Sequence, residues 1–185
     1  MKNELKKHSF IILPFILSLV LFSIFGSGCG EDPIVSIRTT IPYDLVDLSG
    51  HCYWFTTSNY EKDIRQCVKT WNKYAPDIFV ERLEPEKYVK IIDVHEFGTN
   101  WAGRIDMAGK KIELNLYFFS SEEFRKDNRL VRNTILHELG HALGLGHQTE
   151  NTGGSEKDIM WKDTTTSTTL SKNDKASFDA AAKRY

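Results

Sequence analysis

"DNRLVRNTILHELGHALGLGH", residues 127–147, is the stretch on which the reading of this chain turns. Val131, Ile135, Leu139 and Leu143 recur every four positions, the spacing of one buried helix face. Asp127 or Asn128 can cap that helix at its start. Gly144 can end it in a left-handed conformation, and Gly146 keeps the following turn open. A long, strongly apolar helix closed by a sharp turn must lie against another layer, so it anchors whatever fold surrounds it.

The same stretch holds three of the chain's six histidines. A helix advances about 100° per residue, so His137 and His141 share a face one turn apart. The glycine turn lets the chain swing back and present His147 to the same point. Three neutral imidazoles with one position left open make a catalytic zinc site, since structural zinc is usually closed by four protein ligands. Glu138, beside the first histidine, cannot easily reach the same ion but can reach a water on it. An amphipathic helix with scattered histidines would account for neither Glu138 nor the two glycines. The residues therefore predict one zinc ion held by His137, His141 and His147, with Glu138 as general base.

Outward from this helix, the order of elements predicts an α+β fold. "CYWFTT", 52–57, is aromatic and β-branched and predicts a strand. Ser58 with Glu61 has capping-box spacing for a helix whose stripe is Ile64, Val68, Trp71 and Ala75, with Pro76 ending it. Cys67 sits beside the stripe and is expected to face the strands. "DIFVERL" and "YVKIIDVHEF" predict two more strands. "NWAGRIDM" and "KIELNLYFF" predict a hairpin turning at Ala108, Gly109 and Lys110. In its second arm Ile112, Leu114, Leu116 and Phe118 alternate with polar neighbours, which predicts one buried face. Ser171 and Asp174 cap a last helix, and "TTTSTT", 164–169, reads as a loop. His95 and His51 carry no expectation of metal binding. The four tryptophans are core by default, although Trp161 could border a pocket.

The beginning of the chain differs in kind. Lys2, Lys6 and Lys7 precede the uncharged apolar run Phe10–Phe25, followed by "GSGCG", the layout of an export signal. A membrane span usually needs about 20 apolar residues. The end of the segment resembles a bacterial lipoprotein signal, which implies lipid on Cys29. Gly26 stands where such signals usually have Leu. Three cysteines in an exported chain leave one over if two pair. With Cys29 lipidated, Cys52 and Cys67 could form a disulfide or remain two buried thiols. The expected organisation is a signal at 1–28, a tether at 29–50 and one domain at 51–185. Loss of the signal takes the formal charge from -1 to -3, so no strong field points to nucleic acid as a partner.

The pattern HExxHxxGxxH, complete from His137 to His147, resembles the metzincin zinc peptidases, and "HALGLGH" is most similar to their matrixin-like branch. That resemblance implies a twisted mixed sheet with an active-site helix and a C-terminal helix. It also implies a Met turn, for which "DIMW" offers Met160, packed beneath the metal rather than ligating it. Lys162 occupies the position where other branches carry a tyrosine ligand. The chain departs from matrixins at Gln148, where Ser is usual, in a longer polar loop before Met160, and in lacking a Pro-x-Tyr segment after it. The implied function is a zinc endopeptidase, acting as a monomer on extracytoplasmic proteins or peptides while anchored to a bacterial membrane through lipid on Cys29. Zinc would activate water and polarise the scissile carbonyl, with substrate laid along an edge strand in "NWAGRIDM" near Gly103. A surface lipoprotein that binds host or envelope proteins through a non-catalytic zinc site is the alternative. A zinc amidase acting on cell-wall peptides is a third reading.

Overall fold

The computed structural model describes residues 38–82 and 88–185. The signal, Cys29 and residues 29–37 of the expected tether lie outside the described residues. Strands run at Cys52–Thr56 (β1), Phe79–Glu81 (β2), Val89–Val94 (β3), Gly103–Asp106 (β4) and Lys111–Asn115 (β5). Helices run at Glu61–Tyr74 (α1), Leu116–Phe119 (α2), Glu122–Lys126 (α3), Asn128–Ala142 (α4) and Lys172–Ala181 (α5). The result is a mixed α/β chain, compatible with the expected α+β class, built on a five-stranded sheet in the order β2-β1-β3-β5-β4. Pairs β1–β2, β1–β3 and β3–β5 are parallel. β4 is the antiparallel edge, with Gly103 opposite Leu114. Among the described residues no helix is long and apolar enough to cross a membrane.

The stripe predicted on α4 is buried throughout: Val131, Ile135, Leu139 and Leu143 join Ile64, Val68 and Trp71 of α1 in one core with Ile91, Ile112 and Leu114 of the sheet. Truncating one such fully buried leucine to alanine costs about 2–5 kcal/mol. α4 packs on α1 and also on β4. Trp71 binds the two helices further, its indole N–H donating to the Leu136 carbonyl at 3.2 Å. Asp127 caps α4 by accepting from Arg129 N–H.

Several expectations change. Ser58 is not the cap of α1, which starts after Tyr60 with no side-chain cap. The Ser58 hydroxyl instead donates to Asp93 and accepts from Tyr60 N–H. The alternation in the second hairpin arm stops at Asn115, and Leu116 and Phe118 belong to a helical turn. Nor does β5 have one buried face. Glu113 and Asn115 are buried as well, because Arg104 and Lys111 cover the first and the 96–101 loop covers the second. Cys67 faces α4 rather than the sheet, its Sγ 3.5 Å from the Arg132 carbonyl. Cys52 and Cys67 are both buried and free, the second of the two states the sequence leaves open. Burial pushes both thiols well up, which makes them poor nucleophiles.

Residues 38–50 do not hang free as a tether. Leu45 and Val46 pack against the core. Backbone hydrogen bonds join Ile41 N–H to Gly144 O, Leu45 N–H to Ala142 O and Gly146 N–H to Thr39 O, at 2.9, 2.8 and 3.0 Å. Apolar residues in a segment too short to form its own core find burial on the end of α4, and their backbone groups pair with the turn there.

Candidate metal centre

α4 carries the first half of the site. His137 and His141 project one turn apart, as their spacing requires. Gly144 adopts φ +83°, a conformation that costs an L side chain about 1 kcal/mol or more, and the chain reverses to bring in His147. The Nε2 atoms of His141 and His147 lie 3.0 Å apart, and those of His147 and His137 lie 3.1 Å apart.

The other ring nitrogens decide what this cluster can hold. His137 Nδ1 lies 2.9 Å from the Ile159 carbonyl and His141 Nδ1 lies 2.8 Å from the Leu145 carbonyl. A carbonyl can only accept, so both Nδ1 atoms carry the proton and both Nε2 atoms present lone pairs. Burial holds the two rings neutral by lowering their pKa values to about 3 for His137 and about 4 for His141. Lone pairs that close repel unless a cation lies among them. Tetrahedral zinc with bonds of ~2.0–2.1 Å would set its nitrogens roughly 3.3 Å apart. The donor set, the fixed tautomers of His137 and His141 and the spacing therefore fit a zinc-type ion.

Glu138 lies beside the triad on the cleft side, 6% exposed. Burial alone raises its pKa to about 8. A β-carbon at Gly103 would come within 2.6 Å of Thr134 Cγ2 and 3.2 Å of Glu138 Oε1. Gly103 was expected to admit substrate backbone; the close approach it permits is between β4 and α4, where it leaves room for the Glu138 carboxyl group.

Met160 is fully buried under α4. A β-carbon at Gly140 would collide with its sulfur, so the glycine inside "HELGH" is what lets the turn close beneath the histidines. Asp174 holds that turn from below. Its carboxylate accepts from Ile159 N–H at 2.9 Å, Met160 N–H at 3.1 Å and Ser171 N–H at 2.8 Å. Asp174 was expected only to cap α5, which it also does in a capping box with Ser171. Its role in the turn joins residues 14 and 15 positions apart, a contact no local pattern announces. Gln148 pairs with the strand-like segment after the turn, its N–H donating to Met160 O and its O accepting from Lys162 N–H. The link ties the third histidine's segment to the turn at Met160.

A cavity of about 260 Å³ opens over the site, lined by Asn100–Gly103, Asn133, Thr134, His137, Glu138, His147 and Lys162–Thr164. Trp161 is buried and does not line it; the next three residues do. Asn133, which sequence reading passed over, pins this wall by donating to Ser167 O at 2.9 Å and accepting from Thr165 N–H at 2.8 Å. Burial lowers His147, opposed by the Asp163 carboxylate. His95 is exposed and packs edge-on to Tyr117, and His51 bonds the Asp77 carbonyl.

No family model matches the chain, and no curated relative matches it. A solved structure described as the GM1-bound form of the ECX AB5 holotoxin is similar at 17% identity and a TM-score of 0.42. The match covers 60% of this chain and 59% of that one, so this chain spans under two thirds of that chain's length.

Proposed function

We propose that the chain is a zinc-dependent endopeptidase of the metzincin type, matrixin-like in its site, acting on extracytoplasmic proteins or peptides. The observation that carries this reading is the pairing of a converging histidine triad with a buried carboxyl group on the same cleft. His137, His141 and His147 would hold the ion. Bound there, zinc would supply Lewis-acid polarisation of the scissile carbonyl and acidify water.

The chain's own part is proton movement and positioning. A Glu138 carboxylate oxygen takes the proton from the attacking water and returns it to the leaving amine nitrogen. Burial raises its affinity for a proton, and the charge of a bound ion would oppose that rise, leaving a carboxylate that can take the proton and keep it until the bond breaks. Ile159 and Leu145 carbonyls orient the imidazoles through their Nδ1 atoms. Met160 packs beneath them. β4, the free edge of the sheet, offers backbone groups to an extended substrate.

Export and anchoring through lipid on Cys29 belong to the same reading, with a protein or peptide substrate and no nucleic acid partner. Mass spectrometry of the mature N-terminus tests the lipid, which Cys29→Ala should abolish. The activity test is zinc content and cleavage of a generic protein by wild type and Glu138→Ala. We expect about one zinc in each and cleavage only by wild type. Zinc in both with cleavage in neither, across a broad peptide library, would shift the reading to a binding lipoprotein.

A further inference from the structure

The cleft walls differ in character. One wall is Trp101, half-buried on the approach to β4, with the Arg104 guanidinium 4.2 Å from its ring centroid. Arg104 is itself occupied by Glu96 and Glu113 at 3.0 and 2.6 Å. Lys162, Asp163 and Thr164 form another part of the lining. Lys162 is paired with Glu150, at 3.4 Å. Asp163 is exposed and makes no hydrogen bond or salt bridge among the described residues, and its field falls on His147. The segment just beyond it is held by both ends of the Asn133 side chain and by Ser167 Oγ donating to Lys157 O at 2.7 Å. This charge is therefore presented from a braced wall rather than a loose loop.

With Glu138 and the histidines reserved for the reaction, Asp163 is the charge left on the walls to meet a substrate side chain. A cavity of about 260 Å³ shared with the reacting groups has room for one long side chain. Aromatic surface and a carboxylate lining one cavity match an aliphatic stem ending in a cation. An acidic side chain would meet the Asp163 carboxylate.

We propose that this cleft selects a cationic side chain, Lys or Arg, beside the bond to be cut, with Asp163 reading its charge and Trp101 supporting its stem. The identity of the cut bond rests on the peptidase reading; the charge preference does not. Zinc-loaded protein should be given peptides that differ only in having Lys, Leu or Glu at each position flanking the expected cut. The same fluorescent peptides should be titrated onto Glu138→Gln protein, where binding is read without hydrolysis. We expect Lys over Glu by about tenfold in both kcat/KM and affinity, weakening with salt. Asp163→Asn should bring that ratio close to one, Asp163→Lys should invert it, and Glu156→Gln should leave it unchanged. If wild type cleaves nothing yet binds Lys peptides in an Asp163-dependent way, the peptidase reading fails and the cation-selecting cleft stands. Equal binding of Lys and Glu peptides, or a preference that survives Asp163→Asn, overturns the inference.

Discussion

Glu138 and Asp174 are carboxyl groups almost equally removed from water, 6% and 0% exposed, yet their surroundings differ. Asp174 accepts from three backbone N–H groups. Glu138 accepts from none among the described residues, and only burial acts on its pKa. Burial raises Asp174 too, but the donated hydrogen bonds oppose it. A buried carboxylate surrounded by donors is structural, because its charge is spent on holding the chain. One left without donors retains its affinity for a proton, which is the property a general base needs. Placement completes the contrast: Asp174 lies below the Met turn and Glu138 faces the cleft.

The largest test of this contrast is on activity. Glu138→Ala should lower kcat by about 10²–10⁴-fold while zinc content and melting temperature stay close to wild type. A parallel fall in melting temperature would mean that Glu138 is structural after all. Chelation comes next and separates Glu138 from the histidines. Zinc at about 1,000 times its dissociation constant should stabilise the fold by ~4 kcal/mol. Removing it should cost that amount in wild type and in Glu138→Ala alike, but not in His141→Ala, read by calorimetry.

Asp174→Ala should act oppositely to Glu138→Ala. Leaving two buried N–H groups and a third, part-buried one with no acceptor should cost about 2–4 kcal/mol, measured by urea unfolding, with activity falling only as the folded fraction falls. Gly140→Ala presses on Met160 from above instead of releasing it from below. We expect a loss of about 1–3 kcal/mol that Met160→Ala in the same chain partly restores. A Gly140→Ala protein as stable as wild type would show that Met160 is free to move aside.

The smallest effect is on pH dependence without metal. The folded chain keeps the Glu138 proton to about pH 8, whereas the unfolded chain releases it near 4.5, so stability falls as pH rises between those values. The imidazoles work the other way. His137 and His141 stay neutral down to about 3 and 4, below the unfolded value of 6.5, so stability falls as pH drops below 6.5. The metal-free chain should therefore be most stable near pH 6.5, with a decline of about 1–2 kcal/mol by pH 8. Glu138→Gln should remove that alkaline decline and keep the acid one.

The features legible in advance were those set by local periodicity. The α4 stripe, its Asp127 cap, the left-handed Gly144, the β4–β5 hairpin and the α5 capping box all follow from spacings of two to four residues. So does the meeting of His137 and His141 on one helix face. Ser58 misled because its hydroxyl had a better partner in Asp93, which lies on another strand. Leu116 and Phe118 misled because alternation does not show where a strand stops; Asn115 caps a helical turn there by accepting from Tyr117 N–H. The tether misled because its neighbour on α4 is about 100 residues away in the chain.

The amino-acid sequence by itself determined the donor chemistry: three imidazoles at spacings that a helix and a glycine turn can bring together, and a carboxyl group beside the first. Tertiary structure alone decided what each buried acid became. Two of the donors to Asp174 come from the turn at Ile159 and Met160, and the empty side of Glu138 comes from Gly103 on an edge strand. Both are contacts between segments that local propensity treats as independent, and a carboxyl group's role depends on which partners folding brings within hydrogen-bond range.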